Sequence, residues 1–420
     1  MIRNFAYSLV STATAGLLLA LMIIAERYLG TVEFGKFMFA LLLGGVFETL
    51  MDFGLHQVTV RAIARDPASA PSLLRHTLAI KLLWASGALA LLAIATNLLR
   101  PEPDVRMACY LIGGASIFRS YMLTVRGVLQ GLERFGWESF VVIADRVLLL
   151  SLGSYALASG GGLRGLTIAF VVARGIALLV AGVITQVRLG GVGLSYDRGV
   201  WRDLHATALP LGFFLIVLNL YQYADGVMLG YFRTDAETGL YGGAFKVYEG
   251  LTYGAMAISA VLTPRLSALF VSDRRRHRRL SIGGIGGSAA LGALVGAGGL
   301  LFAMPLLTLP FGSDFAAGAA PPFRILCTGL PIVFGIWILH ATAISVDREK
   351  LLLRTGLIGL VVNVGLNLYV IPRFGVNGAA GATVAGELVS LAVLLLGLRA
   401  SLSSEGAWST TSPRGSSSPR

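Results

Sequence analysis

Leu29-Gly30-Thr31-Val32-Glu33-Phe34-Gly35-Lys36-Phe37, followed by Thr59-Val60-Arg61, has a counterpart later in the same chain. Leu229-Gly230 stands 200 residues beyond the first pair. Gly239-Leu240-Tyr241 and Thr263-Pro264-Arg265 stand 204 beyond theirs. At that offset Gly35, Ala40, Thr59, Arg61 and Ala64 are identical to Gly239, Ala244, Thr263, Arg265 and Ala268. A second pairing, at offset 213, matches Gly162, Gly165, Ala169 and Val171 with Gly375, Gly378, Ala382 and Val384. Gly and Ala are common here, so each match is weak alone. Two blocks in the same order at nearly the same offset predict a chain of two like halves. In membrane proteins such halves usually form a transport path between them.

Composition places both halves in a membrane. Hydrophobic residues are 55% of the 420 and charged residues 13%, against roughly 25% charged in an ordinary soluble domain. Mean hydropathy is +0.75. A spanning helix needs roughly 20 apolar residues to cross a core of about 30 Å. Twelve runs qualify: 6–25, 37–57, 78–98, 107–127, 139–159, 165–187, 208–231, 241–262, 283–304, 322–345, 352–371 and 377–398. Glu26-Arg27 end the first run, which reads as a retained helix and not as a cleaved signal. The expected architecture is an all-α integral membrane protein of about twelve transmembrane helices in two pseudo-symmetric six-helix lobes. The first lobe covers 1–190, a cytoplasmic linker 191–207, the second lobe 208–400, and a disordered Ser/Pro/Thr-rich cytoplasmic tail 401–420.

With the N-terminus inside, the cytoplasmic segments hold Arg61, Arg65, Arg75, Arg126, Arg134, Arg188, Arg198, Arg202, Arg348, Lys350, Arg354 and the run from Arg274 to Arg279. The outer segments hold only Arg27, Lys36, Arg100, Arg106, Arg164, Arg233 and Arg373. This is the positive-inside bias, and it puts both termini in the cytoplasm. The net charge of +12 is then a matter of topology and anionic lipid, with no nucleic acid implied. Cys109 and Cys327 fall within spans and define neither a disulfide framework nor a metal site. The glycines at 283, 284, 286 and 287 lack the strand that precedes a phosphate loop, so no nucleotide cofactor is expected.

An ionisable group in hydrocarbon is costly and is a functional candidate by default. The first half carries Glu48 and Asp52 in span two, Arg119 in span four, Asp145 and Arg146 in span five and Arg174 in span six. The second carries Asp225, Lys246, Glu249, Arg324 and Glu387. Lys246 and Glu249, three apart, can neutralise each other on one helix face. Glu48, Asp52 and His56 recur every four residues, either as a stripe that takes up protons or cations or as a solvated helix end. Asn219, Gln222 and Asp225 share one side of span seven and suit sugar hydroxyls or a coupling ion, or else hydrogen bonds between helices. Arg174 and Glu387 occupy equivalent columns of the repeat with opposite charges. Arg119, Arg146 and Arg174, from three successive spans, predict a cationic chamber suited to a lipid diphosphate; the alternative is snorkelling to the interface.

Together the motifs resemble a known group. Leu29-Gly30, Gly35-Lys36-Phe37, Asp52-Phe53-Gly54-Leu55 and Arg61 look like the opening of Wzx-type polysaccharide flippases, of the multidrug/oligosaccharidyl-lipid/polysaccharide (MOP) exporter superfamily. The run from Arg126 to Glu133, Asp225-Gly226-Val227-Met228-Leu229-Gly230, Asn363-Val364-Gly365-Leu366-Asn367 and the stretch from Ile371 to Ala382 fit as well. The resemblance implies two lobes exchanging inward- and outward-open states. It implies a cargo of undecaprenyl-diphosphate-linked oligosaccharide moved to the periplasmic leaflet, for O-antigen or exopolysaccharide synthesis in a bacterial inner membrane. It implies coupling to H+ or Na+, with polysaccharide polymerase and glycosyltransferases as candidate partners. Arg61 and Asp225 match recurring family positions; no catalytic motif is implied. The expected cationic set is Arg61, Arg119, Arg146, Arg174 and Lys246, and the expected polar or ion-coupling set is Asp225, Glu249, Glu387, Glu48, Asp145, Asn219 and Gln222. Rival functions are a cation-coupled drug exporter of the same superfamily and a membrane polymerase or ligase. The longest outer loop, 305–321, holds no Lys, Arg or His for such an enzyme.

Overall fold

The computed structural model describes residues 14–190 and 192–402. The start of the first span and nearly all of the tail expected at 401–420 lie outside the described residues. Twelve helices follow in order: α1 (Ala15–Asp52), α2 (Leu55–Arg65), α3 (Ala70–Leu99), α4 (Pro103–Gly131), α5 (Phe135–Ala158), α6 (Gly162–Leu189), α7 (Arg198–Phe232), α8 (Asp235–Ser272), α9 (Arg274–Leu301), α10 (Ala303–Phe311), α11 (Ser313–Ser345) and α12 (Glu349–Leu402). A 3₁₀ turn at Pro67–Ser69 joins α2 to α3, and no strand occurs among the described residues. An apolar chain in lipid has to satisfy every N–H and C=O within its own segment, which helices do.

Nine helices are long and apolar enough to cross a bilayer. Two of them are broken within their length. α1 has 38 residues and α12 has 54, about 57 and 81 Å if straight. Each is broken at a glycine, α1 at Gly30 (φ 73°) and α12 at Gly375 (φ 54°), so each supplies two of the twelve runs. α4 completes the set: its 29 residues suffice in length, although its most apolar stretch is less apolar than those of the other nine.

Two local expectations fail, the outer loop at 305–321 and the stripe from Glu48 to His56. Segment 305–321 is helical: α10 and the first turns of α11 occupy it, so no long loop exists there. The arginine run at 274–279 opens α9, because Asp273 caps the Arg276 N–H at 2.9 Å. Glu48, Asp52 and His56 do not form one stripe. α1 ends at Asp52, and Phe53 and Gly54, both at positive φ, turn the chain into α2 before His56.

The repeat is visible in the backbone. Gly35 of α1 and Gly239 of α8, identical columns of the sequence repeat, lie against each other. A methyl on Gly239 would sit 2.5 Å from the Thr31 carbonyl oxygen and 3.0 Å from the Gly35 nitrogen. A methyl on Gly35 would overlap the Asp235 carbonyl, and Thr31 and Asp235 are themselves one repeat apart. The second block matches as well: Gly162 and Gly375 both take positive φ, at 56° and 54°.

From this crossing α7 stays against α1. Gly230, Gly226 and Gly212 make room for Phe39, Leu42 and Phe53, and Gly45 faces the Tyr223 ring. α8 behaves differently. Its first turns are buried at Thr238, Gly239 and the run from Tyr241 to Ala244, but between 250 and 272 only Ala255, Ser259 and Leu266 are buried. The halves therefore touch at the end bearing Gly35 and Gly239, the closed end. Toward the end bearing Arg61, Arg65 and the arginines of α9, the basic end, α8 loses this burial, while α7 stays packed on α2 and α3 through Leu204 and Ala208 against Leu55, Val58 and Ile80.

Alanine favours helix over glycine by about 1 kcal/mol, so Gly87→Ala, with no atom within 4 Å of the new methyl, should leave thermal stability unchanged or raised. G35A and G239A should lower it despite the same gain, as backbone contacts cannot relax like side chains. Melting of detergent-solubilised protein followed by size-exclusion fluorescence checks the difference in sign.

Candidate functional site

Within the first half the intramembrane acids are matched by bases from neighbouring helices. Asp52, at the end of α1, accepts from Lys81 of α3 at 2.6 Å. Lys81 is fully buried, and its remaining hydrogens go to the Ser120 carbonyl at 2.6 Å and hydroxyl at 3.0 Å. This pair clamps α1, α3 and α4 together where the chain turns into α2. Glu48 meets Arg119 of α4 at 3.2 Å. Asp145 of α5 meets Arg174 of α6 at 3.1 Å, both buried, in an ion contact without hydrogen-bond alignment. Glu138 holds Arg126 at 2.6 Å nearer the basic end.

Arg146 is left over. It makes no ion pair, and its Nη1 is buried without a hydrogen-bond partner. It lies within electrostatic range of Arg119, Arg174 and Asp145 in its own half, and of Tyr253 on α8 in the other. The three arginines expected to form a chamber do converge, but Glu48 and Asp145 neutralise two of them. The chamber's net charge is near +1, carried by Arg146, and not +3.

The second half has the opposite balance. Lys246 pairs with Glu249 at 2.8 Å, as the three-residue spacing predicts, and Gln222 of α7 donates to Glu249 at 3.1 Å. Asn219 Oδ1 is buried without a partner. Deeper in, Asp225 of α7 receives the Gly226 N–H at 2.8 Å and the Tyr241 hydroxyl of α8, with Thr383 Oγ1 of α12 at 3.1 Å. Glu387, one helical turn beyond Thr383, receives the Tyr248 hydroxyl at 2.7 Å. Asn367 donates to Asn363 at 3.1 Å on the other limb of α12. Neither Asp225 nor Glu387 has a cation partner among the described residues.

Arg174 and Glu387 do not meet: each has its own partner within its own half. Arg61 stands exposed on α2 at the basic end, apart from the arginine cluster, so it does not belong to the chamber. Two buried cations were missed. Lys81 sits four residues into the third run, and nothing local in the sequence points to Asp52. Arg100, in a short connection between α3 and α4, reads as an exposed loop residue. It is instead 4% exposed, bonded across the halves to Asp235 at 2.6 Å and the Gly230 carbonyl at 3.1 Å, with its guanidinium over the Phe39 ring. Arg27 adds a second contact at the closed end, to the carbonyls of Leu309 and Pro310 at 2.7 Å each.

Two helical halves, one holding an unpaired buried guanidinium and the other two buried acids without a base, are the arrangement of the transporter class of membrane proteins. Solved structures share the fold. An inward-facing multidrug-resistance MATE family transporter of the MOP superfamily superposes with a TM-score of 0.75 at 15% identity, covering 92% of this chain and 94% of that one. The lipid II flippase MurJ, in an inward closed conformation, gives 0.76 at 13% identity over 94% and 87%. In sequence, the family described as "Polysaccharide biosynthesis protein" matches residues 2–270. The probable low-salt glycan biosynthesis flippase Agl15 of Haloferax volcanii is 22% identical over 365 residues, 85% of this chain and 74% of that protein. The chain belongs to the polysaccharide biosynthesis protein family, and the resemblance of its motifs to flippases of the MOP superfamily is borne out.

Removing one member of a buried ion pair typically costs about 3–5 kcal/mol, whereas replacing both can be near neutral. Lys81→Ala should therefore destabilise the protein severely, and the double variant D52N/K81M should recover most of the loss. Thermal melts of the single and double variants test this; additive losses would show that the two side chains act independently.

Proposed function

We propose that this chain is a flippase for a lipid-linked oligosaccharide. Its cargo is an oligosaccharide carried on undecaprenyl diphosphate, turned from the cytoplasmic to the periplasmic leaflet by alternating access. The observation that carries the reading is Arg146, an uncompensated guanidinium grouped with Arg119 and Arg174 and within electrostatic range of Tyr253 on the other half. Arginine stays charged and binds phosphate oxygens through a planar fork of donors. One free guanidinium beside two paired ones attracts a diphosphate while keeping the empty cleft from a large self-repulsion. Asn219, Gln222, Tyr223 and Tyr253 on the α7 and α8 side offer amides and phenols of the kind that bind sugar hydroxyls.

Coupling belongs to the second half. Asp225 and Glu387 are buried acids with no cation, the type of site a proton or sodium ion neutralises. The basic end supports a cytoplasmic placement of Arg61 and the arginines of α9, in a bacterial inner membrane. The lobes 1–190 and 208–400 would then move against each other. A cation-coupled drug exporter would share this fold; the guanidinium on the wall favours an anionic cargo. Polymerase or ligase chemistry is disfavoured, since 305–321 forms helices free of Lys, Arg and His.

A charge-assisted hydrogen bond is worth about 1.5–3 kcal/mol, so R146Q should lower translocation at least roughly tenfold with thermal stability unchanged. R174Q should lower it too, but with a lower melting temperature, because Asp145 loses its partner. Movement of a fluorescent polyprenyl-diphosphate glycolipid in proteoliposomes measures both; wild-type rates in both variants would sink the chamber. In the same vesicles, collapsing the proton and sodium gradients should abolish net transport. Net transport that persists without any gradient removes the coupling role of the second half.

A further inference from the structure

Every intramembrane acid in the first half that approaches the cleft has a base against it, and so does Glu249. Asp225 and Glu387 stand apart, and their surroundings differ from each other. Asp225 receives a backbone N–H from Gly226 and a phenol hydroxyl from Tyr241, with the Thr383 hydroxyl also in reach. That is a donor shell suited to an ionised carboxylate. Glu387 has one donor, the Tyr248 hydroxyl at 2.7 Å on Oε1. Its Oε2 is buried with no hydrogen-bond partner and lies against the backbone of Gly329 in α11.

The groups facing Glu387 leave it uncompensated. α8 presents Tyr241 and Tyr248, and α7 presents Tyr221, all phenols. α11 presents the bare Gly329, and α9 from 280 to 301 contains no ionisable residue. No Lys, Arg or His among the described residues reaches Glu387 electrostatically. A carboxylate with one donor, one orphan oxygen and no cation is far costlier in a low-dielectric interior than the neutral acid.

We propose that Glu387 is the acid that carries the coupling proton, holding it on Oε2 when the closed end is shut. This deepens, and rests on, the ion-coupled flippase reading. The proton leaves Oε2 for water when motion of α11 or α8 wets the site; Oε1 keeps the Tyr248 hydrogen bond, and the acid becomes a carboxylate. Gly329 sets the access: its missing side chain is what lets α11 close over Oε2.

Infrared difference spectroscopy of the lipid-reconstituted protein tests this without any substrate. Wild type at neutral pH should show the C=O band of a protonated carboxyl in an apolar site. E387Q should lose that band and D225N should keep it. No such band in wild type, or its survival in E387Q, overturns the proposal. Should E387Q fail to fold, G329A serves: its methyl meets Oε2, so the band should shift, and an unmoved band in folded G329A overturns the assignment. In vesicles with the fluorescent polyprenyl-diphosphate glycolipid, a pH gradient should drive net transport by wild type and none by E387Q. Net transport by E387Q equal to wild type overturns the role of Glu387 alone. A wild type indifferent to the pH gradient overturns the coupled reading itself.

Discussion

Two backbones meet where Gly35 of α1 crosses Gly239 of α8, and the rest of the architecture follows from that contact. With no side chain on either residue, the helices approach until a methyl on one would strike the Thr31 carbonyl and a methyl on the other the Asp235 carbonyl. The same clash in both directions is the signature of a two-fold relation between halves. α8 begins one residue after Thr234, whose capping box with Glu237 fixes its first turn and so the height of Asp235. Arg100 and Arg27 then bind the second half around the crossing with a buried ion pair and backbone carbonyls. Away from the crossing α8 leaves α1. Beside the crossing, Met38 fills the space left by Gly242 and Phe34 meets the edge of Phe315, so the two halves are also held by side chains there.

Charge then divides the labour. In hydrocarbon an unpaired charge is expensive, and a well-made pair roughly breaks even against an apolar replacement. The first half obeys that rule at Asp52, Glu48 and Asp145, and departs from it at Arg146. The second obeys it at Glu249 and departs at Asp225 and Glu387. Departures from the rule are where an external partner repays the cost. A cation on the wall of one half fits an anionic head group; two acids within the other fit a small cation.

Sequence alone carried much of this. The apolar runs fell on the described helices because the bilayer fixes their length, and glycines at 30, 35, 162, 239 and 375 stood out as repeat matches, although their roles as breaks and contacts did not. Lys246 and Glu249 could be paired because one helix sets their spacing. Partners on different helices were not legible: Glu48 with Arg119, Asp145 with Arg174 and Lys81 with Asp52 depend on helix rotation and tilt, which periodicity does not report. Arg100 looked like a loop residue because its burial comes from the other half of the chain. The stripe from Glu48 to His56 failed because Phe53-Gly54 turns the backbone within the run read as one span.

The central claim is that the halves pivot about the Gly35–Gly239 crossing, and Arg61 and Arg265, repeat-equivalent residues at the basic end, are the natural reporters. Spin labels at these two positions, with a second pair at Arg27 and Pro310 across the closed end, measure both ends in lipid once Cys109 and Cys327 are replaced. The account predicts two populations in each distribution, with the basic-end distance shortening as the closed-end distance grows when pH or the lipid diphosphate is varied. One fixed distance at each end under every condition, or two ends that widen together, would contradict it.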